Sequence, residues 1–204
     1  MAQKNAAQRN QIAMSCMSTS AEHEAVAGPK DIVAFWLGAG LERWFKKDDA
    51  FDAEIRGRFL ATYRAAAAGK LAAWADTPDG ALALLLVLDQ FPRNMFRGSA
   101  QSFATDPMAL GLAKAAVARG FDQVLQMPLR QFFYLPLMHS EDLGDQERCV
   151  ALYRALDDTN LLKWADLHLD VIRRFGRFPH RNALLVRTTR PDEQAFLDAG
   201  GFAG

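Results

Sequence analysis

Eight consecutive apolar residues, Ala81 to Leu88, follow Thr77-Pro78-Asp79-Gly80 and run straight into Asp89-Gln90. Thr77 suits a helix N-cap, and Pro78 suits the first helical position, where its missing N–H costs nothing. A helix that is apolar all round has no face to give to water, so other elements must enclose it. The run is also far shorter than the roughly 20 residues needed to span a membrane. These residues are expected to form the central helix of a globular fold.

Helix signals surround this segment and strand alternation is nearly absent. "PKDIVAFWLG" opens with Pro29 and ends at Gly38. Asp48 or Asp49 can cap a helix whose stripe is Phe51, Ile55, Phe59 and Tyr63, with Gly69 as its stop. Asp106 is expected to cap the next, with Pro107 first and Gly120 last. Further helices are expected from about Leu143 to Leu156, from about Asn160 to Phe175 after a Thr159 cap, and over a short stretch beginning at Pro191. Helices of this length with short turns predict an all-α fold of antiparallel helical hairpins, without a regular sequence repeat.

The 204 residues are 50% hydrophobic and 24% charged. That balance predicts one soluble all-α domain over residues 29–204. Residues 1–28 are polar and Ala-rich without an apolar core, and read as a flexible or weakly helical extension rather than a secretory signal. Met17 is an alternative natural start. A formal net charge of zero gives no global field for nucleic acid or a membrane surface, so neither is an expected partner. Cys16 and Cys149 stand alone, which argues against a disulfide framework and for a reducing cytoplasm.

Several chemistries lose support at once. Gly38-Ala39-Gly40 lacks the third glycine and the preceding strand of a dinucleotide loop. There is no Walker loop, no His-Glu-x-x-His and no Gly-x-Ser-x-Gly. No motif implies a cofactor or a metal. The four tryptophans, Trp36, Trp44, Trp74 and Trp164, flank helix ends or faces and are expected to pack in the core.

Three polar clusters leave the apolar helices directly. The first is Asp89, Gln90, Arg93, Asn94 and Arg97. Pro92 is expected to break the helix ladder there and free carbonyls for the arginines or Asn94. These residues form either an Asp–Arg bracket at a kinked helix end or an anion pocket built on guanidinium forks. The second is His139, Ser140, Glu141 and Asp142, which is raw material for acid–base work or a capping cluster for the next helix. The third runs from His168 to Asn182 and carries Arg177, His180, Arg181 and Asn182 on an irregular segment after Gly176.

The residues of these clusters also carry a family resemblance. Phe35-Trp36, Trp44-Phe45, "LDQFPRNMFRG" (Leu88 to Gly98), "PLMHSEDLGDQ" (Pro136 to Gln146) and "FGRFPHRN" (Phe175 to Asn182) resemble the bacterial family DUF924. The likeness extends from about Pro29 to Leu197. It implies a tetratricopeptide-like helical fold and no established activity. One departure stands out: Val186 occupies a position where the family pattern has glycine, which puts a close backbone approach there in doubt.

Two readings follow. In the first, the clusters converge on a pocket for an anionic small molecule. Arg93, Arg97, Arg177 and Arg181 would hold the anion, with Gln90, Asn94 and Asn182 beside them. His139 and His180 would be the acid–base groups, and Asp89, Glu141 and Asp142 the orienters or counter-charges. In the second, the chain is a helical module that binds a protein partner, and the arginines are structural brackets. A third reading, a metal-dependent hydrolase using His139, Glu141 or Asp142 with His168 or His180, has only residue types in its favour.

Overall fold

A computed structural model describes residues 25–202, and every described element is helical. The helices are α1 (Pro29–Ala39), α2 (Leu41–Trp44), α3 (Asp49–Ala67), α4 (Pro78–Leu85), α5 (Phe91–Met95), α6 (Asp106–Ala118), α7 (Phe121–Val124), α8 (Leu135–Met138), α9 (Leu143–Arg154), α10 (Thr159–Phe175) and α11 (Pro191–Asp198). Short 3-10 turns cover Ala72–Asp76, Ala100–Phe103, Arg130–Phe133 and Pro179–Arg181. Most of the expected N-terminal extension, residues 1–24, lies outside the described residues. Packing begins before Pro29, because the Ala27 N–H donates to Thr62 Oγ1 at 2.9 Å.

The apolar run is enclosed as its composition requires. Ala81 to Leu88 are each at most 5% exposed, and burying each Leu or Val contributes roughly 1.5–3 kcal/mol. α4 packs against α1 and α6, while α3 packs along α5 and the turn that joins it to α4. Thr77 caps α4 by accepting from Gly80 N at 3.2 Å. Gly80 is required by close approach, since a Cβ there would lie 2.1 Å from the Trp74 carbonyl oxygen. Asp48 caps α3, accepting from Phe51 N at 3.0 Å, and Gly69 ends it in the left-handed region at φ 74°.

Three expected helix ends differ. α1 continues through Gly38 and stops at Gly40, whose φ is 73°. Thr105, not Asp106, is the residue before α6, because the Asp106 carboxylate is held by arginines instead. Asp158 rather than Thr159 caps α10, accepting from the Asn160 and Leu161 amides.

An aromatic cluster joins α1, α2, α3 and α5. Trp36 and Trp44 stack with ring centroids 5.8 Å apart, and the Trp44 indole N–H donates to the Trp36 carbonyl at 2.6 Å. α9 and α10 form a helical hairpin over a short turn. α10 turns Ala165, His168, Leu169 and Ile172 inward. A smaller apolar cluster of Val171, Ile172, Phe175 and Phe178 packs Phe196 and Phe202 against it.

Candidate functional site

The central helix does not break at Pro92. A wider π turn, Leu86–Gln90, joins α4 to α5, with the Phe91 N–H bonded to the Leu86 carbonyl. An inserted π turn absorbs a defect in the ladder at the cost of local geometry. Pro92 still leaves the carbonyl four residues earlier without a donor, and Thr105 Oγ1 supplies one to Leu88 O at 2.6 Å. Arg93 donates through its side chain to the Asp89 carbonyl. The carbonyl that Pro92 frees is thus met by Thr105 rather than by an arginine or by Asn94, which donates to Asp52 Oδ1 at 2.7 Å.

Asp89 is 1% exposed and sits behind a cleft rather than in it. Its Oδ1 accepts from His139 Nδ1 at 2.8 Å and lies 3.3 Å from Arg93 NH1, while its Oδ2 accepts from Gln90 Nε2 at 2.6 Å. Burial pushes this carboxyl upward, yet the Arg93 charge and the hydrogen bonds from His139 and Gln90 win and hold it well below the usual carboxylate range. Arg93 reaches on to Asp106 in a two-pronged pair at 3.0 and 3.1 Å. Asp106 Oδ2, which Arg93 NH2 also holds, lies 3.6 Å from Arg181 NH1. The first and second motifs thus meet at Asp89, and the first and third at Asp106.

The cleft in front of these groups measures about 740 Å³. Gln90, Arg93, Asn94, Arg97, His139, His180 and Arg181 line it, all from the sequence-derived set. Lys46 also lines it, and among the described residues no Asp or Glu side chain does. The carboxylates Asp52, Asp89 and Asp106 lie behind their arginines. Arg97 takes both oxygens of Asp52, at 2.7 and 3.0 Å.

Arg181 is the least compensated of the arginines that line the cleft. It is 7% exposed, with Nε buried and without a hydrogen-bond partner. Its guanidinium lies between the rings of Phe103 and Phe178, 4.8 and 4.5 Å from their centroids. Burial, then repulsion from Arg93, lowers its pKa to about 10, so it stays charged at neutral pH.

Three histidines share the cleft, and all are held neutral. Burial and the Arg93 charge push His139 below its ordinary value, against the pull of Asp89. With Asp89 ionised, the His139 Nδ1–H donates and Nε2 remains a free base. Burial lowers His180 to about 4, aided by Arg181, and its Nδ1 is buried without a partner. Burial lowers His168 to about 3, although its Nδ1 is bonded to the Trp164 carbonyl at 2.8 Å. An imidazole oriented by a buried carboxylate, with Nε2 unprotonated beside guanidinium groups, can accept a proton or a hydrogen bond from a hydroxyl of a bound ligand.

Besides Asp89, four of the expected site residues lie outside the cleft. Glu141 forms a two-pronged pair with Arg187, at 2.7 and 3.0 Å, and accepts from Phe178 N at 2.8 Å. It ties the second motif to the third as a structural clamp. Asp142 caps α9, accepting from Asp145 N at 3.0 Å. Arg177 binds both oxygens of the fully buried Glu193, at 2.6 and 2.8 Å, and Asn182 donates to the same carboxylate at 3.1 Å. The capping role of Asp142 is local and was open to the sequence, whereas the partners of Glu141, Arg177 and Asn182 lie beyond their motifs. No group of three or more His, Cys, Asp or Glu among the described residues is arranged to hold a metal ion, so the hydrolase reading finds no ligand set there.

Sequence reasoning missed Lys46, Phe103 and Trp164 as lining residues. Trp164 is 53% exposed and not a core tryptophan. Its register was the available signal: it falls outside the Ala165, Leu169, Ile172 stripe of α10. Among the described residues no helix is long and apolar enough to cross a membrane.

A family model described as "Bacterial protein of unknown function (DUF924)" matches residues 32–201. A solved structure of a protein of unknown function from Agrobacterium tumefaciens is 47% identical, with a TM-score of 0.82. The alignment covers 84% of this chain and 97% of that one. No curated protein matches the sequence.

Proposed function

The chain belongs to the DUF924 family, and on that premise we propose that its cleft binds an anionic small molecule on Arg93 and Arg181, beside the His139 imidazole. One observation carries this reading: guanidinium groups line the cleft while their carboxylate partners stand behind them. An incoming carboxylate or phosphate meets planar, charged donors and no like charge. Arg181, with an unpartnered Nε, gains most from such a ligand. His139 Nε2 is the proton acceptor in this arrangement, and Asp89 orients it.

A thermal-shift screen of anionic metabolites against matched neutral compounds tests the proposal. A ligand at a hundredfold excess over its dissociation constant stabilises by about 2.7 kcal/mol, which raises Tm by roughly 5–10 °C for a chain of this size. Anions are expected to raise Tm, Arg181→Gln to abolish the response, and His139→Gln to retain it. An anion response unchanged in Arg181→Gln contradicts the assignment.

A second reading, a module that binds a protein partner, draws on the rim. Leu41, Phe45 and Trp164 are 61%, 59% and 53% exposed, and such side chains commonly mark interaction surfaces. In that reading the Arg97–Asp52 and Arg93–Asp106 pairs are brackets between helices. Failure of every anion in the screen favours it.

A further inference from the structure

Anion capture uses only part of the cleft. Inorganic phosphate or acetate displaces a few water volumes of about 30 Å³ each, whereas the cleft measures about 740 Å³. Much of the remaining wall is apolar. α8 supplies Leu135 and Met138, α10 supplies Leu161 and Trp164 on one face three residues apart, and the α2 region supplies Leu41 and Phe45. Burial is graded along the same lining. Arg181 is 7% exposed, whereas Leu41, Phe45 and Trp164 are each more than half exposed.

We infer that the ligand is an amphiphilic anion, a carboxylate or phosphate head on a single hydrocarbon chain, with the head at Arg181 and Arg93 and the chain along Leu161 and Trp164 toward the mouth. The inference rests on the anion-binding reading above and adds the apolar body to it. The charge pattern favours this occupant over a neutral lipid: four cations line the cleft, Lys46, Arg93, Arg97 and Arg181, with no carboxylate among the described lining residues. The exposed tryptophan and its neighbours favour it over a bare anion, because a chain lying on them removes apolar surface from water.

Calorimetric titration with butanoate, hexanoate, octanoate and decanoate, the matching alkyl phosphates and the matching alcohols separates the two claims. One site per chain is expected. Affinity should rise about fourfold per methylene (about 0.8 kcal/mol) until the cleft is filled. Each acid or phosphate should bind at least about tenfold tighter than the alcohol of equal length, and the tighter of the two series identifies the head. Trp164→Ala, a change at a half-exposed position, should flatten the chain-length dependence and keep the preference for anions. Arg181→Gln should do the reverse, with its ligand-free Tm as the folding control.

If butanoate binds as tightly as decanoate, the amphiphile is excluded and the anion reading stands. If alcohols bind as tightly as acids, the anion reading falls and takes this inference with it. If no member of any series binds, both fall.

Discussion

Val186 sits at φ 54° with its side chain 92% exposed. A β-branched residue in the left-handed region carries strain of roughly 1–3 kcal/mol. The glycine that the family resemblance led one to expect at this position would suit this backbone. The demand there is conformational, and no neighbour crowds the side chain. Val186→Gly should raise unfolding stability by roughly 1 kcal/mol, the relief of strain exceeding the added entropy of the unfolded chain. Urea denaturation reads this directly, and equal or lower stability of the glycine variant would count against it. The polar residue types of the site were legible in the same local way, because Arg, His and Asn emerged straight from apolar helices. Their partners were not. Asp52 lies 45 residues from Arg97 and Asp106 lies 13 from Arg93. Nothing local distinguishes a carboxylate held by a distant arginine from one that caps a helix.

At the scale of the element, the joint between α4 and α5 depends on one hydroxyl. Thr105 is 4% exposed, and its Oγ1 serves the Leu88 carbonyl that Pro92 leaves unpaired. Thr105→Val keeps the shape and removes the donor, which should cost roughly 1–3 kcal/mol for an unsatisfied buried carbonyl. In Pro92→Ala a backbone N–H becomes available to the same carbonyl. Combining the two should therefore lose less than Thr105→Val alone predicts, giving a coupling of at least about 0.5 kcal/mol in a double-mutant cycle. Strict additivity would mean that Thr105 does not answer the proline. The helices themselves were readable from Thr77, Asp48, Gly69 and Gly176, whose roles are set by their immediate neighbours. The π turn was not. A proline after a buried run predicts a broken ladder, and tertiary packing against α3 and α6 decides whether the helix ends or widens.

Across the whole molecule, the three motifs meet because the π turn carries α5 onward, the end of α8 brings His139 to Asp89, and the Pro179–Arg181 turn follows the end of α10. The all-helical architecture was evident in the sequence; the meeting depends on packing between distant segments, as where Asp89 meets His139 and Asp106 meets Arg181. One consequence is an acid-sensitive fold. His139, His168 and His180 all favour the neutral form when folded, the last two with values of about 3 and about 4. Their folded values lie below the unfolded value of about 6.5, so unfolding takes up protons beneath that pH. Stability is fully present above about pH 7 and falls as the pH drops toward 4, by up to about 1.4 kcal/mol per pH unit for each histidine. Asp89, also depressed, adds its loss only below about pH 4. Urea midpoints between pH 7.5 and 4.5 should show this slope, and His168→Gln should reduce it by about one proton. A flat profile would contradict the burial of these rings.

The four histidines of the chain also give the most direct test of the shared site. His139, His168 and His180 line the cleft, and His23 lies outside the described residues. Proton NMR of the imidazole signals during titration with the tightest-binding anion of the thermal screen follows all four at once. The three cleft signals should move along one saturation curve with a single dissociation constant, and Arg181→Gln should abolish the movement. Cleft signals that do not respond, or that respond unchanged in Arg181→Gln, would contradict the claim that the three motifs form one anion-binding site.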